Sequence, residues 1–392
     1  MNRLRGHRGG VPVRYRLPLL AGGALALVGG LYAGLVLLGL PVADTDTAGG
    51  VGAVHGPVMV FGFVGTLVAV ERAVALGARW ALLAPACSVL GPTALLAGAP
   101  SLVGRLLLCV AGVVLLGVYA ALWRRQATVA LLAQAAGALC WYTGALLWAG
   151  GFPISGIVPW LAGFVVATIA GERLELAHLG LAAGGHRAAL SAQSWFLAVL
   201  AAVLVGAVAS LLWPPVGSQL WGLALLGVVG WLAVFDVARH TVRGRGLPRY
   251  VAVGLLVGYG WLAAAGMVWV GGGVVSDGPR YDAVLHAVFL GFTMSMIFAH
   301  APVILPAVLR RPLPYHPVLY APLGLLHASL LARVGLGDAG GQVTVWQWAG
   351  VANEVAVVGF LACAAVLAVR AHRTGRTGRP AAPTDAVAAI GR

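Results

Sequence analysis

The chain has 392 residues, of which 60% are hydrophobic and 9% charged, with a formal net charge of +14. An ordinary soluble domain carries about 25% charged residues, so this composition excludes a water-exposed globular fold and makes the lipid bilayer the solvent. All 25 basic residues are arginine, yet they are not gathered on one soluble domain, which excludes the nucleic-acid partner that the charge alone would suggest.

Arg3, Arg5, Arg8, Arg14 and Arg16 precede the first apolar run, 17–40. A cleaved signal has a hydrophobic segment of only about 7–15 residues, so this run predicts a first spanning helix and leaves 1–16 as a basic N-terminal segment. Apolar runs of about 20 residues predict further spans at 54–76, 80–99, 103–123, 128–149, 155–180, 194–213, 217–238, 250–272, 281–309, 316–335 and 343–369. The expected fold is all-α, a polytopic membrane bundle of about twelve transmembrane helices over 17–370. An arginine-, proline- and alanine-rich tail, 371–392, follows and is expected to be disordered and to lie on anionic lipid. Glycine, at 57 residues without a collagen period, points to tight helix packing. Cys87, Cys109, Cys140 and Cys363 sit inside apolar runs without metal-type spacing and read as buried free thiols.

Arginine also sets the orientation. With the N-terminus inside, twenty arginines fall on inner segments, against Arg105, Arg280 and Arg333 outside, where Asp44, Asp46, Asp277 and Asp338 stand instead. Cytoplasmic loops carry the arginine excess, so both termini are expected in the cytoplasm and the chain in a cell membrane such as a bacterial inner membrane.

A weak internal repeat accompanies the spans. Gly62-Phe63, Gly163-Phe164 and Gly291-Phe292 occupy the second, sixth and tenth helices, and Glu71, Glu172 and His300 each stand nine positions after the glycine. The spacing suggests three pseudo-repeats of four helices, with those three residues at one depth.

Ionisable residues are costly within a bilayer and mark function by default. His55 and His286 lie toward the outer ends of the second and tenth helices. Asp282, four residues before His286, shares its helical face and could hold one ring nitrogen while the other ligates. Two such histidines suit bis-axial haem ligation; the alternative is a pair of interfacial histidines bonded to backbone and headgroup. An inner group comprises Glu71, Glu172, Glu175, His178 and His300. Glu175 and His178 have the Glu-x-x-His spacing of carboxylate metal sites, so this group could bind a second metal, copper among the candidates, or relay protons. Against that, Glu71-Arg72 and Glu172-Arg173 also read as structural ion pairs with snorkelling arginines.

The run His55, Gly56, Pro57, Val58, Met59, Val60, Phe61, Gly62, Phe63 resembles the signature of the NnrS family of haem-containing membrane proteins. His286-Ala287 with Gly291, Thr293, Met294, Ser295 and Met296 resembles that family's second histidine-bearing helix. The resemblance implies twelve helices, haem held at His55 and His286 with Met59 close by, and a role in nitric oxide or respiratory redox metabolism. A quinol or redox protein would then be the partner and nitric oxide a candidate ligand. Pro57 and Val58 replace the family's second histidine and acid, and His300, Ala301, Pro302 replace a basic, glycine-rich segment, so its copper site is not carried over. A more distant likeness is to haem-copper oxidase catalytic subunits, whose adjacent histidine pair is missing here. The competing expectation, from another class, is a proton-coupled secondary transporter using Glu71, Glu172 and His300.

Overall fold

The computed structural model describes residues 11–42, 50–183, 186–309 and 313–373, apart from the side chains of 178–183, 186, 188, 307 and 309. The described residues are helical, without a strand, and contain twelve helices long and apolar enough to cross a membrane. These are α1 (Val13–Leu37), α2 (His55–Leu76), α3 (Arg79–Leu96), α4 (Ser101–Trp123), α5 (Val129–Ala149), α6 (Ile154–Ala183), α7 (His186–Leu212), α8 (Pro214–Phe235), α9 (Gly246–Gly272), α10 (from Gly278), α11 (Pro317–Asp338) and α12 (Val343–Arg373). The apolar runs of the sequence thus locate all twelve spans, with the largest difference at the start of α7, expected at 194 and found at His186, and the protein is an integral, multi-pass, all-α membrane protein.

Polarity is arranged for lipid rather than water. Leu25 is 70% exposed on α1, whereas Arg173 on α6 is only 3% exposed. Large apolar side chains facing outward cost nothing in hydrocarbon, while a charge there costs several kcal/mol at the roughly +3 kcal/mol per arginine of insertion scales. Local signals set several helix starts: the Thr128 hydroxyl accepts from Leu131 N–H at 3.2 Å at the head of α5, and Pro214 opens α8 where its missing N–H is no loss.

The chain divides into two compact units, Met1–Phe152 with α1–α5 and Pro153–Arg392 with α6–α12. In the first, Trp141 on α5 packs against Phe61 of α2 with ring centroids 5.3 Å apart, and its indole N–H donates to Leu108 O at 3.0 Å. In the second, α8 and α9 cross at Gly222 and Gly266. A Cβ on Gly222 would stand 2.7 Å from Gly266 O, and one on Gly266 3.0 Å from Gly222 O, so this approach requires glycine on both sides. Phe298 of α10 stacks on Phe360 of α12 at 3.9 Å.

Helices α2 and α10 are not continuous α-helices. Each opens with a short α-helical segment, His55–Pro57 or Gly278–His286, then passes through a π-helical stretch, Val58–Val64 or Ala287–Met294, before resuming α-helix. Both stretches begin four residues before the glycine of the Gly-Phe pair. In α6 the corresponding Gly163-Phe164 lies in unbroken α-helix, so the three segments share a sequence pattern and only two share a conformation. The i→i+5 pattern leaves carbonyls poorly satisfied, and hydroxyls cover them: Ser88 of α3 donates to Phe61 O at 2.6 Å, Thr293 donates to Val288 O at 3.0 Å, and Ser295 donates to Gly291 O.

Candidate functional site

His55 heads α2, three residues before its π-helical stretch begins at Val58. Its Nδ1 lies 2.8 Å from Gly30 O on α1. A carbonyl can only accept, so Nδ1 carries the proton and Nε2 the lone pair. Glycine is needed at position 30 because a Cβ there would collide with the Met59 sulfur. Met59 therefore packs against Gly30, the residue whose carbonyl meets His55.

His286 directly precedes the π-helical stretch of α10, which begins at Ala287. Its Nδ1 lies 2.8 Å from Asp282 O and 3.3 Å from the Asp282 carboxylate. The expected Asp282–His286 contact is present, with the closer bond made by the backbone carbonyl. The carboxylate itself is taken up by Arg333 of α11, whose Nε and Nη2 both donate at 2.8 Å, and by Trp346 of α12, whose indole N–H donates at 3.1 Å. The Arg333 guanidinium also lies 5.0 Å from the Trp346 ring centroid. Asp338 and Glu354 stand within its field, so one cation, three acids and an imidazole gather at this end of the second unit. Arg333, at the outer end of the expected span 316–335, is buried at 7% exposure on a π-helical turn of α11, Arg333–Asp338. The bidentate carboxylate neutralises it there.

A second polar centre joins α6, α8, α9 and α10. Arg173 Nε and Nη2 donate to the two Asp236 oxygens at 2.6 and 2.9 Å, in a pair 3% and 1% exposed. The Tyr259 hydroxyl donates to Asp236 at 2.9 Å, and Ala238 N–H donates to it at 2.7 Å. Arg173 Nη1 lies 3.2 Å from His300 Nε2, while His300 Nδ1 lies 2.8 Å from Met296 O. Arginine only donates and a carbonyl only accepts, which makes His300 a neutral imidazole protonated on Nδ1. Its Nε2 lone pair is thereby used, so a metal at His300 would have to displace Arg173. Glu172 adds its charge to the field at Arg173.

The remaining candidates are dispersed. Glu71 pairs with Arg72, which also donates to Gln134 of α5 at 3.0 Å; this is the structural ion pair anticipated as an alternative. Arg173, by contrast, takes Asp236 as its bidentate partner. Glu175 is exposed, and the His178 side chain lies outside the described residues. Among the described residues no group of three or more His, Cys, Asp or Glu side chains comes together as metal ligands would. Of the three residues expected at one depth, Glu71 belongs to the first unit, while His300 of α10 and Arg173, the neighbour of Glu172 on α6, are in contact. His327 of α11, the clearly intramembrane histidine of that helix, accepts from the Trp261 indole at 3.1 Å through Nδ1, with Nε2 3.4 Å from Ser295 Oγ. Asn353 makes a helix-packing contact, 2.6 Å from Ser329 Oγ.

Asp236, Tyr259, Gly30 and Trp346 escaped the sequence reading. Only Asp236 left a signal: it is the sole acid in 236–249, a stretch that holds Arg239, Arg243, Arg245 and Arg249. No curated protein matches the sequence. Residues 16–369 match the family described as Domain of unknown function (DUF8744), and over that span of its 392 residues the chain belongs to this family.

Proposed function

We propose that this is a haem-binding, NnrS-like protein of the cell membrane, with both termini in the cytoplasm, and that His55 and His286 are its candidate haem-ligating imidazoles. The observation that supports this reading is the shared local design of the two histidines. Each stands within three residues of the start of a π-helical stretch that itself begins four residues before the glycine of a Gly-Phe pair, with Nδ1 tied to a backbone carbonyl. A carbonyl on Nδ1–H fixes the ring and, in the neutral imidazole, the tautomer, as it does in metal-ligating histidine. Arg333 donates to both Asp282 oxygens and so holds that carboxylate in place beside His286. Haem, when bound, supplies an iron that carries an electron or holds a small ligand such as nitric oxide. The reading therefore places the protein in nitric oxide or respiratory redox metabolism, with electrons arriving from a quinol or a redox partner.

The test is spectroscopic. The purified full-length chain, reconstituted with haemin, should show a Soret band that His55→Ala and His286→Ala each abolish or shift, while His316→Ala leaves it unchanged. A colourless wild-type protein after reconstitution refutes the proposal. The buried Arg173, Asp236, Tyr259 and His300 centre favours a second reading, proton-coupled transport, because ionisable residues linking membrane helices are the usual seat of that coupling. A colourless protein that acidifies pyranine-loaded vesicles, and loses this in His300→Ala, would establish it.

A further inference from the structure

In α2 the Gly65 N–H donates to Val60 O, five residues back, and α-helix resumes from Gly65. When the ladder reverts to four-residue steps one carbonyl is passed over, and counting from Val60 O it is Phe61 O. Ser88 of α3 donates to that carbonyl at 2.6 Å. Its single hydroxyl hydrogen is thereby used, so in the 2.9 Å contact between Ser88 and Thr66 it is Thr66 that donates. Both side chains are at 0% exposure, where water cannot replace an unmade bond.

The π-helical stretch of α10 ends in the same way. Gly291 O, which accepts from Ser295, stands three residues before the last π-helical residue, as Phe61 O does. Ser295 lies four residues after its glycine, the register of Thr66. The Trp261 indole donates to His327 Nδ1, so Nε2 carries the proton and donates to Ser295 Oγ at 3.4 Å. In each unit a hydroxyl covers the exit carbonyl and a second donor meets that hydroxyl.

In an unbroken α-helix Phe61 O would accept from Gly65 N–H, so only the wider winding needs Ser88. Without its hydroxyl the orphaned, buried carbonyl favours the α form by about ten-fold or more. That form turns the segment ahead of the stretch by about 100° against the rest of α2. His55, three residues ahead of Val58, would then leave Gly30 O of α1, which is 2.8 Å from its Nδ1.

We propose that Ser88 is a positioning residue for His55: by covering Phe61 O it keeps the π-helical winding that places the imidazole on Gly30 O. Its value to a haem site rests on the reading of His55 as a ligand, whereas its hold on the ring does not. In nitrogen NMR of the haem-free, histidine-labelled full-length chain, with the His55 signal assigned by its absence from His55→Ala, the wild type should show the Nδ1–H tautomer. Ser88→Ala should lose that form. Ser88→Cys, a weaker donor of similar size, should lose it in part, and serves where Ser88→Ala does not fold. Thr66→Val removes a buried bond from the same pair but leaves Ser88 on Phe61 O. It should lower the thermal midpoint, as Ser88→Ala does, and keep the His55 tautomer. After reconstitution with haemin, the Soret band should shift in Ser88→Ala and not in Thr66→Val. A wild type without the Nδ1–H form, an unchanged His55 tautomer in folded Ser88→Ala, or an equal loss in Thr66→Val would each overturn the proposal. A colourless wild type would end the haem reading instead, and the tautomers of the haem-free variants would still decide the role of Ser88.

Discussion

Replacing Asp236 with leucine removes the acceptor of four hydrogen bonds, two from Arg173, one from Tyr259 and one from Ala238 N–H. Two magnitudes compete. Side-chain hydrogen bonds between membrane helices are worth only about 0.6 kcal/mol on average, so three lost side-chain bonds account for roughly 2 kcal/mol. Leaving a buried charge without its partner costs about 3–5 kcal/mol, and Arg173 at 3% exposure qualifies. The charge term dominates, and Asp236→Leu should destabilise the fold by about 4 kcal/mol, or about a thousand-fold in the unfolding equilibrium. Unfolding of the purified chain in mixed micelles by a denaturing detergent measures this. The double variant Arg173→Leu/Asp236→Leu should recover most of the loss, since replacing both partners with apolar groups is close to neutral. The double-mutant cycle should then yield a coupling above about 2 kcal/mol. A single-variant cost below about 1 kcal/mol, or a double variant no better than the sum of the singles, would show that Arg173 finds water or another partner and that the charge argument fails.

Two histidines should show opposite neutral tautomers by nitrogen NMR of histidine-labelled protein: His300 protonated on Nδ1 and His327 on Nε2, because Met296 O can only accept and the Trp261 indole can only donate. A common tautomer would refute both assignments. Gly222→Ala should lower the thermal midpoint, since its Cβ would stand 2.7 Å from Gly266 O and overpacking at about 1–3 kcal/mol exceeds the propensity gain of about 1 kcal/mol. Gly324→Ala, with nothing within 4 Å of the added atom, should hold or raise it. Reporters fused after Arg245 and Asp277 should read cytoplasmic and external respectively, and both on one side would sink the arginine-based orientation.

Hydropathy made the spans legible because the bilayer demands about 20 apolar residues whatever the tertiary contacts. It could not show that Arg333 is buried, because an arginine paired with Asp282 and one facing the outer interface look alike until the partner helix is known. The Glu71-Arg72 pair was visible as neighbours, whereas Arg173 reaches past its neighbour Glu172 to Asp236, 63 residues away. Local spacing could suggest Asp282 beside His286, since the two are one helical turn apart. It could not suggest Gly30 beneath His55, a contact made by a backbone carbonyl of another helix that leaves no polar side chain in the sequence. The π-helical stretches were hidden for a related reason: Val58–Val64 and Ala287–Met294 are apolar nearly throughout, so no alternation of polar and apolar faces betrays the change in winding.

Those two stretches act on angular phase. His286 and His300 are fourteen residues apart, and in an unbroken α-helix two residues so spaced lie within about 40° of one another around the axis. Instead His286 is oriented with Asp282 toward Arg333 of α11 and Trp346 of α12, and His300 toward Arg173 of α6. Ala287–Met294 lies between them, and each residue accommodated by wider winding turns everything downstream by about 100°. The helix thereby serves two sets of neighbours with one axis, as a screw with a change of pitch can present two keyways. Deleting one residue inside 287–294 would shorten α10 by only about 1.5 Å, but it would act chiefly as a rotation, carrying His300 off Arg173 while leaving His286 where it stands.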